Sequence, residues 1–122
     1  MNTNQAFRDR VNDIARHMPG AELTHPFDGG HDAWKVRDKM FTCIGAKNPG
    51  VSVKTPDIDT ARMLIDAGIG TKAPYFHRSW IHLQDDVADD ELTHRTLSSY
   101  DIVRSGLTKK FQATLPERPG KE

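Results

Sequence analysis

The chain has 122 residues, of which 36% are hydrophobic and 28% charged, with a single cysteine and a formal net charge of zero. That length suits one domain around one core, no apolar run approaches the roughly 18 residues of a membrane span, and a lone Cys43 excludes an internal disulfide. Neutrality argues against a general attraction to polyanions, yet the charge is segregated: residues 31–80 hold eight Lys or Arg against five Asp, and residues 81–95 hold five acids against one Arg. Met1 to Arg10 is polar and charged and does not read as a secretion signal, so a cytoplasmic location is expected.

Phe7, Val11, Ile14, Ala15 and Met18 recur at helical spacing. With Thr3 or Asn4 as cap and Pro19-Gly20 as a stop, they predict a first amphipathic helix. Leu23 to Phe27 reads as a short edge strand ending in Pro26, and Asp28-Gly29-Gly30 is turn chemistry.

Ala33 to Ile44 reads as a hairpin that turns at Arg37-Asp38. With Val36 opposite Lys39, Trp34 falls across from Phe41, and Trp34, Val36, Phe41 and Cys43 share an apolar face. Ala33, Lys35, Met40, Thr42 and Ile44 then share the other. Cys43, on the apolar side, suits a buried thiol better than a catalytic one.

A loop over Gly45 to Gly50, with Asn48-Pro49-Gly50 at its end, leads into the alternating run Val51-Ser52-Val53-Lys54. Val51 and Val53 face the core, so Ser52 and Lys54 join Lys35 on the opposite side. Thr55-Pro56-Asp57 is a helix entry, and Ile58, Ala61, Leu64 and Ile65 form the buried stripe of a second helix that Gly68 ends in a left-handed conformation. Thr71 to Ser79 is read as a loop. Trp80-Ile81-His82-Leu83 is a further strand with Ile81 and Leu83 inward. Trp80 and His82 then point outward, and Trp80 either adds a stacking surface beside the lysines or is covered by a neighbouring loop or helix. Asp89-Asp90-Glu91 opens the longest helix, which carries Leu92, Leu97, Tyr100, Val103, Leu107 and Phe111.

The expected architecture is α+β in the order α-β-β-β-β-α-β-α: an antiparallel sheet of about five strands with helices on one face. One domain spans residues 1–122, with an ordered core over about 4–111 and a mobile tail at 115–122.

An enzyme needs a nucleophile with a base, a metal cluster or a phosphate cradle, and none is convincing. Asp28-Gly29-Gly30 lacks the lysine and helix entry of a phosphate loop, and no Gly-x-Ser-x-Gly elbow occurs. His17, His25, His31, His77, His82 and His94 lack the paired helical spacing of zinc hydrolases. Scattered surface histidines are weighed against a loop-built site from His25, His31, Asp32 and His77. The reading is non-enzymatic, with no metal and no cofactor.

Several motifs in order resemble the MmcQ/YjbR family of small bacterial proteins. They run from Met18-Pro19-Gly20-Ala21-Glu22 through Trp34-Lys35-Val36, Lys39-Met40-Phe41 and Val51-Ser52-Val53-Lys54 to Ala73-Pro74-Tyr75, Trp80 and Ser99-Tyr100. The resemblance implies a CyaY-like fold and a double-wing DNA-binding role in which hairpins flanking a sheet contact the duplex. Asp38, where members often have glycine, and His77, where lysine is common, depart from the pattern and make the wing surface less basic.

The expected DNA contacts are Lys35, Lys39, Lys54, Lys72, His77 and Arg78, with Trp80 for stacking. Such contacts to phosphates supply affinity and register but little sequence information. Two other readings are a solvated lysine face without a partner, and a module that binds an acidic protein or a planar anionic small molecule at the open sheet face around Trp80.

Overall fold

The computed structural model describes residues 3–25, 30–45 and 50–119. Pro26, the turn at Asp28-Gly29 and the Asn48-Pro49 loop lie outside the described residues. Helix α1 (Thr3–Ala15) precedes strands β1 (Ala21–Thr24), β2 (Asp32–Val36), β3 (Lys39–Ile44) and β4 (Val51–Lys54). Helix α2 (Ile58–Asp66), strands β5 (Thr71–Lys72) and β6 (Trp80–Leu83), and helices α3 (Asp89–Ser105) and α4 (Lys109–Gln112) complete the chain. All strand pairs are antiparallel, in one six-stranded sheet of order β1-β2-β3-β4-β6-β5. Strand count and order therefore depart from the five-strand CyaY-like pattern expected. The extra strand, β5, lies inside Thr71–Ser79, where two residues without apolar alternation carry no strand signal.

The β2–β3 hairpin forms as expected at Arg37-Asp38, but its phase does not hold along its length. Val36 pairs with Lys39 and Lys35 with Met40, after which Trp34 pairs with Thr42. Phe41 is thus an extra residue on β3, a bulge that shifts every later side chain to the other face. Thr42 and Ile44 join the helix-covered side, where both are buried, and Cys43 lies opposite Ala33 and Ser52 on the other. Cys43 is still buried, and this burial pushes its thiol up to about 11.

Apolar residues on the helix side form two clusters. Ile44, Val51, Val53, Ile81 and Leu83 pack with Phe7 and Val11 of α1, Ala61 and Leu64 of α2 and Leu92 of α3. Trp34, Val36 and Phe41 pack with Ala15, Met18, Tyr100 and Val103, and Phe41 meets Tyr100 edge-on at 5.2 Å. The bulge is held by Ser99, whose buried hydroxyl donates to the Phe41 carbonyl at 2.7 Å and accepts the Lys54 amide at 2.8 Å. Two strands and a helix meet at that one oxygen.

Helix ends differ in detail from the sequence reading. Helix α2 starts after Asp57, whose carboxylate accepts the Thr60 amide at 2.7 Å. That bond holds the Asp57 carboxyl below the usual carboxylate range. Thr55 is committed elsewhere: its amide and hydroxyl both donate to the Ser79 carbonyl, at 2.8 and 2.6 Å, and tie the end of β4 to the start of β6. Gly68 has φ +79°, the left-handed stop expected. Gly50 is needed for a close approach, because a Cβ there would sit 2.2 Å from the Leu83 carbonyl. The last helix breaks at Gly106, and α4 restarts from a Thr108 cap. Beyond it, Arg104 donates to the carbonyls of Leu115 and Pro116 at 3.1 and 2.7 Å, and Arg118 forms a two-point pair with Asp101 at 2.7 and 2.9 Å. Among the described residues no helix is long and apolar enough to cross a membrane.

Candidate nucleic-acid interface

Strand pairing decides where the expected contacts lie. Ala33 opposes Cys43, Cys43 opposes Ser52, and Lys35 and Lys54 each follow two residues along their strands. The two lysines therefore emerge on the same side of the sheet, away from the helix-packed clusters. Ala33, Cys43 and Ser52 are buried, and the charged part of this side is the row of exposed Glu22 and half-buried Lys35, Met40 and Lys54. Glu22 stands directly across from Lys35, where opposite charges attract and part of the positive field is lost.

Both hairpin tips lie at the same end of the sheet as this row. Lys54 ends β4 opposite Trp80, the first residue of β6, and β3 runs antiparallel to β4 from the Arg37-Asp38 turn. With β4 between the two hairpins, their axes are three strand spacings apart, about 14 Å. One tip carries Arg37 and Lys39. The other presents Lys72, His77 and Arg78, all exposed.

The β2–β3 tip is strained. Arg37 and Asp38 have φ +46° and +67°, the left-handed pair that a two-residue hairpin turn requires and that glycine or asparagine adopts more readily. Arg37 compensates by laying its guanidinium 4.5 Å over the Phe111 ring. The β5–β6 tip is strained too: Tyr75 has φ +74° after Pro74, and the Phe76 amide reaches back to the Ala73 carbonyl at 3.4 Å. Tyr75 is fully exposed, so packing does not account for its conformation.

Trp80 is not the open stacking surface considered from sequence. It is 8% exposed and stacked on Phe76, with ring centroids 4.6 Å apart. The exposed aromatic at this end is Tyr75, which the sequence reading placed in a loop without a role. Beneath the tip, Lys54 Nζ donates to Ser79 Oγ at 3.3 Å, and that hydroxyl lies 2.9 Å from His77 Nδ1. The Ser79 amide also donates to His77 Nδ1 at 3.1 Å, which makes that nitrogen an acceptor and leaves Nε2 to carry the proton of the neutral ring.

Two hollows flank His77. An open groove of about 450 Å³ is lined by Lys54, Pro56, Asp57, Ile58, Asp59, His77 and Ser79. A cleft of about 350 Å³ lies between α2 and the β5–β6 hairpin, with walls of Ile58, Ile65, Ala73, Phe76 and Trp80 and a rim of Arg62, Lys72, His77 and Arg78. Arg62 was missed from sequence because it lies on an ordinary amphipathic helix; only the fold turns it toward the hairpin.

The loop-built histidine site does not assemble. His25 Nδ1 sits 3.2 Å from Asp32 and 3.0 Å from the His31 carbonyl, but Asp32 is also paired with Arg8 at 2.9 Å and His77 lies at the opposite end of the sheet. Among the described residues no group of three or more His, Cys, Asp or Glu is placed to hold a metal ion.

Comparison with solved structures finds the crystal structure of Deinococcus radiodurans protein DR2400, with a DUF419 family-model domain, at a TM-score of 0.79 and 21% identity over 94% of each chain. At that identity the likeness concerns the fold. No curated protein matches. A family model described as YjbR matches residues 16–102, which takes in the whole sheet and most of α3, and the chain belongs to the YjbR family.

Proposed function

We propose that the protein is a non-enzymatic, cytoplasmic nucleic-acid-binding protein that grips the phosphates of DNA with two basic hairpin tips, in the double-wing manner, and the sheet row between them. One observation carries the reading: Lys35 and Lys54 share a face, and the tips bearing Lys39 and Lys72, His77 and Arg78 lie at the same end of the sheet, Lys39 and Lys72 paired with Val36 and Ile81 on its helix side. A tip separation of about 14 Å is close to the roughly 12 Å width of the duplex major groove. Tyr75 takes the stacking role first considered for Trp80, and gives the site an affinity for unpaired bases.

Carboxylates interleave with these cations. Glu22, Asp38, Asp57 and Asp59 lie among them, so attraction to the backbone is modest and most visible at low salt. Contacts to phosphates carry little sequence information, so binding is weakly dependent on sequence.

A mobility-shift titration at low salt with duplex and single-stranded DNA tests this. Retention that falls by about 3 to 4 decades per decade of salt corresponds to about four phosphate contacts. Lys35→Glu with Lys54→Glu abolishes retention while the far-ultraviolet circular dichroism stays unchanged. Equal retention by wild type and the double variant overturns the proposal.

A further inference from the structure

We infer that the cleft between α2 and the β5–β6 hairpin binds a small anionic amphiphile, an aromatic body carrying one carboxylate. This goes beyond the nucleic-acid reading and does not depend on it. The cleft's about 350 Å³ is at the small end of the range for ligand pockets. Its wall is apolar, from Ile58 and Ile65 of α2 across Ala73 to the stacked rings of Phe76 and Trp80. A flat ring laid against that pair continues the stack.

The rim sets the sign of the head group. Arg62, Lys72, His77 and Arg78 are all exposed, and among the described residues no carboxylate lines the cleft. Asp57 and Asp59 line the neighbouring groove and not the cleft, with Ile58 and His77 bordering both hollows. A carboxylate at the mouth meets guanidinium and ammonium donors on one rim. A cationic head is repelled. The wall also disfavours a nucleobase, because it offers no side-chain acceptor or amide for the base edge, whose polar atoms would be buried without partners.

The two strained or stacked features of the loop fit this use. The Ala73–Phe76 turn, with Tyr75 in a left-handed conformation, sets Phe76 against Trp80.

Calorimetric titration of the wild-type protein with 1-naphthoate and with uncharged 1-naphthalenemethanol, in the absence of DNA, tests the assignment. Saturable one-site binding of naphthoate, roughly tenfold tighter than the alcohol, is expected. Lys72→Glu with Arg78→Glu removes that preference and leaves the alcohol's affinity unchanged. Trp80 is one of two tryptophans in the chain, so quenching of the remaining emission in Trp34→Phe gives a second readout at the cleft. Should that variant misfold, the wild-type calorimetry decides alone. Absence of saturable binding, equal affinity for the two probes, or a preference that survives charge reversal overturns the inference. A failed DNA titration does not bear on it.

Discussion

Replacing Ser99 with alanine removes one buried oxygen and breaks two hydrogen bonds. The hydroxyl donates to the carbonyl of Phe41, the extra residue of the β3 bulge, and accepts the amide of Lys54 at the end of β4. Each group, once left without a partner in the interior, costs about 1–3 kcal/mol. Alanine returns about 0.5 kcal/mol through its higher helix propensity, so the net loss is about 2–5 kcal/mol from a total of roughly 5–15. Little is lost to a cavity, because only an oxygen is removed. Urea unfolding followed by tryptophan emission reads this as a midpoint lowered by about 1–3 M at unchanged slope. Exposed Ser105, whose hydroxyl bonds the Ile102 carbonyl on the same helix, is the control, and its alanine variant stays within about 0.5 kcal/mol of wild type. A Ser99→Ala loss no larger than the Ser105→Ala loss refutes the claim that this hydroxyl clamps the bulge to α3.

Three further outcomes can be checked with the same unfolding assay. Asp38→Gly relieves a left-handed backbone at φ +67° and raises stability by about 0.5–1 kcal/mol after glycine's entropy loss; a lower urea midpoint would count against the turn geometry. Thr42→Val removes a buried hydroxyl that has no hydrogen-bond partner at nearly constant volume, and is expected to stabilise by about 1 kcal/mol. Because the Cys43 thiol is raised from 9.0 to about 11, the folded state keeps a proton that the unfolded state gives up, so stability falls as pH rises from about 9 towards 11. Cys43→Ala removes that part of the decline, and what remains at higher pH comes from Tyr100, whose hydroxyl is raised mainly by burial. Cys43 labelling at pH 8 is correspondingly slow until urea unfolds the chain.

Elements whose signals are local could be read directly from neighbouring residues. Helical spacing from Phe7 to Ala15, the alternation Val51-Ser52-Val53-Lys54, the Arg37-Asp38 turn and the Gly68 stop are each written within a few neighbouring residues, and each forms. The shared face of Lys35 and Lys54 was also legible, because alternation within each strand sets its lysine opposite core-facing residues, Trp34 and Val36 in β2 and Val51 and Val53 in β4, and the extra residue lies on β3. The remaining features rest on contacts between segments distant in the chain. The Phe41 bulge is bonded to Ser99, 58 residues away, and strict alternation read without that contact places Cys43, Thr42 and Ile44 on the wrong sides. Trp80 is covered because the 73–79 loop folds back to stack Phe76 on it, and Arg62 reaches the cleft because α2 packs beside β5 and β6. Side-chain period is a property of a short segment, whereas what covers a side chain depends on chain that returns from elsewhere.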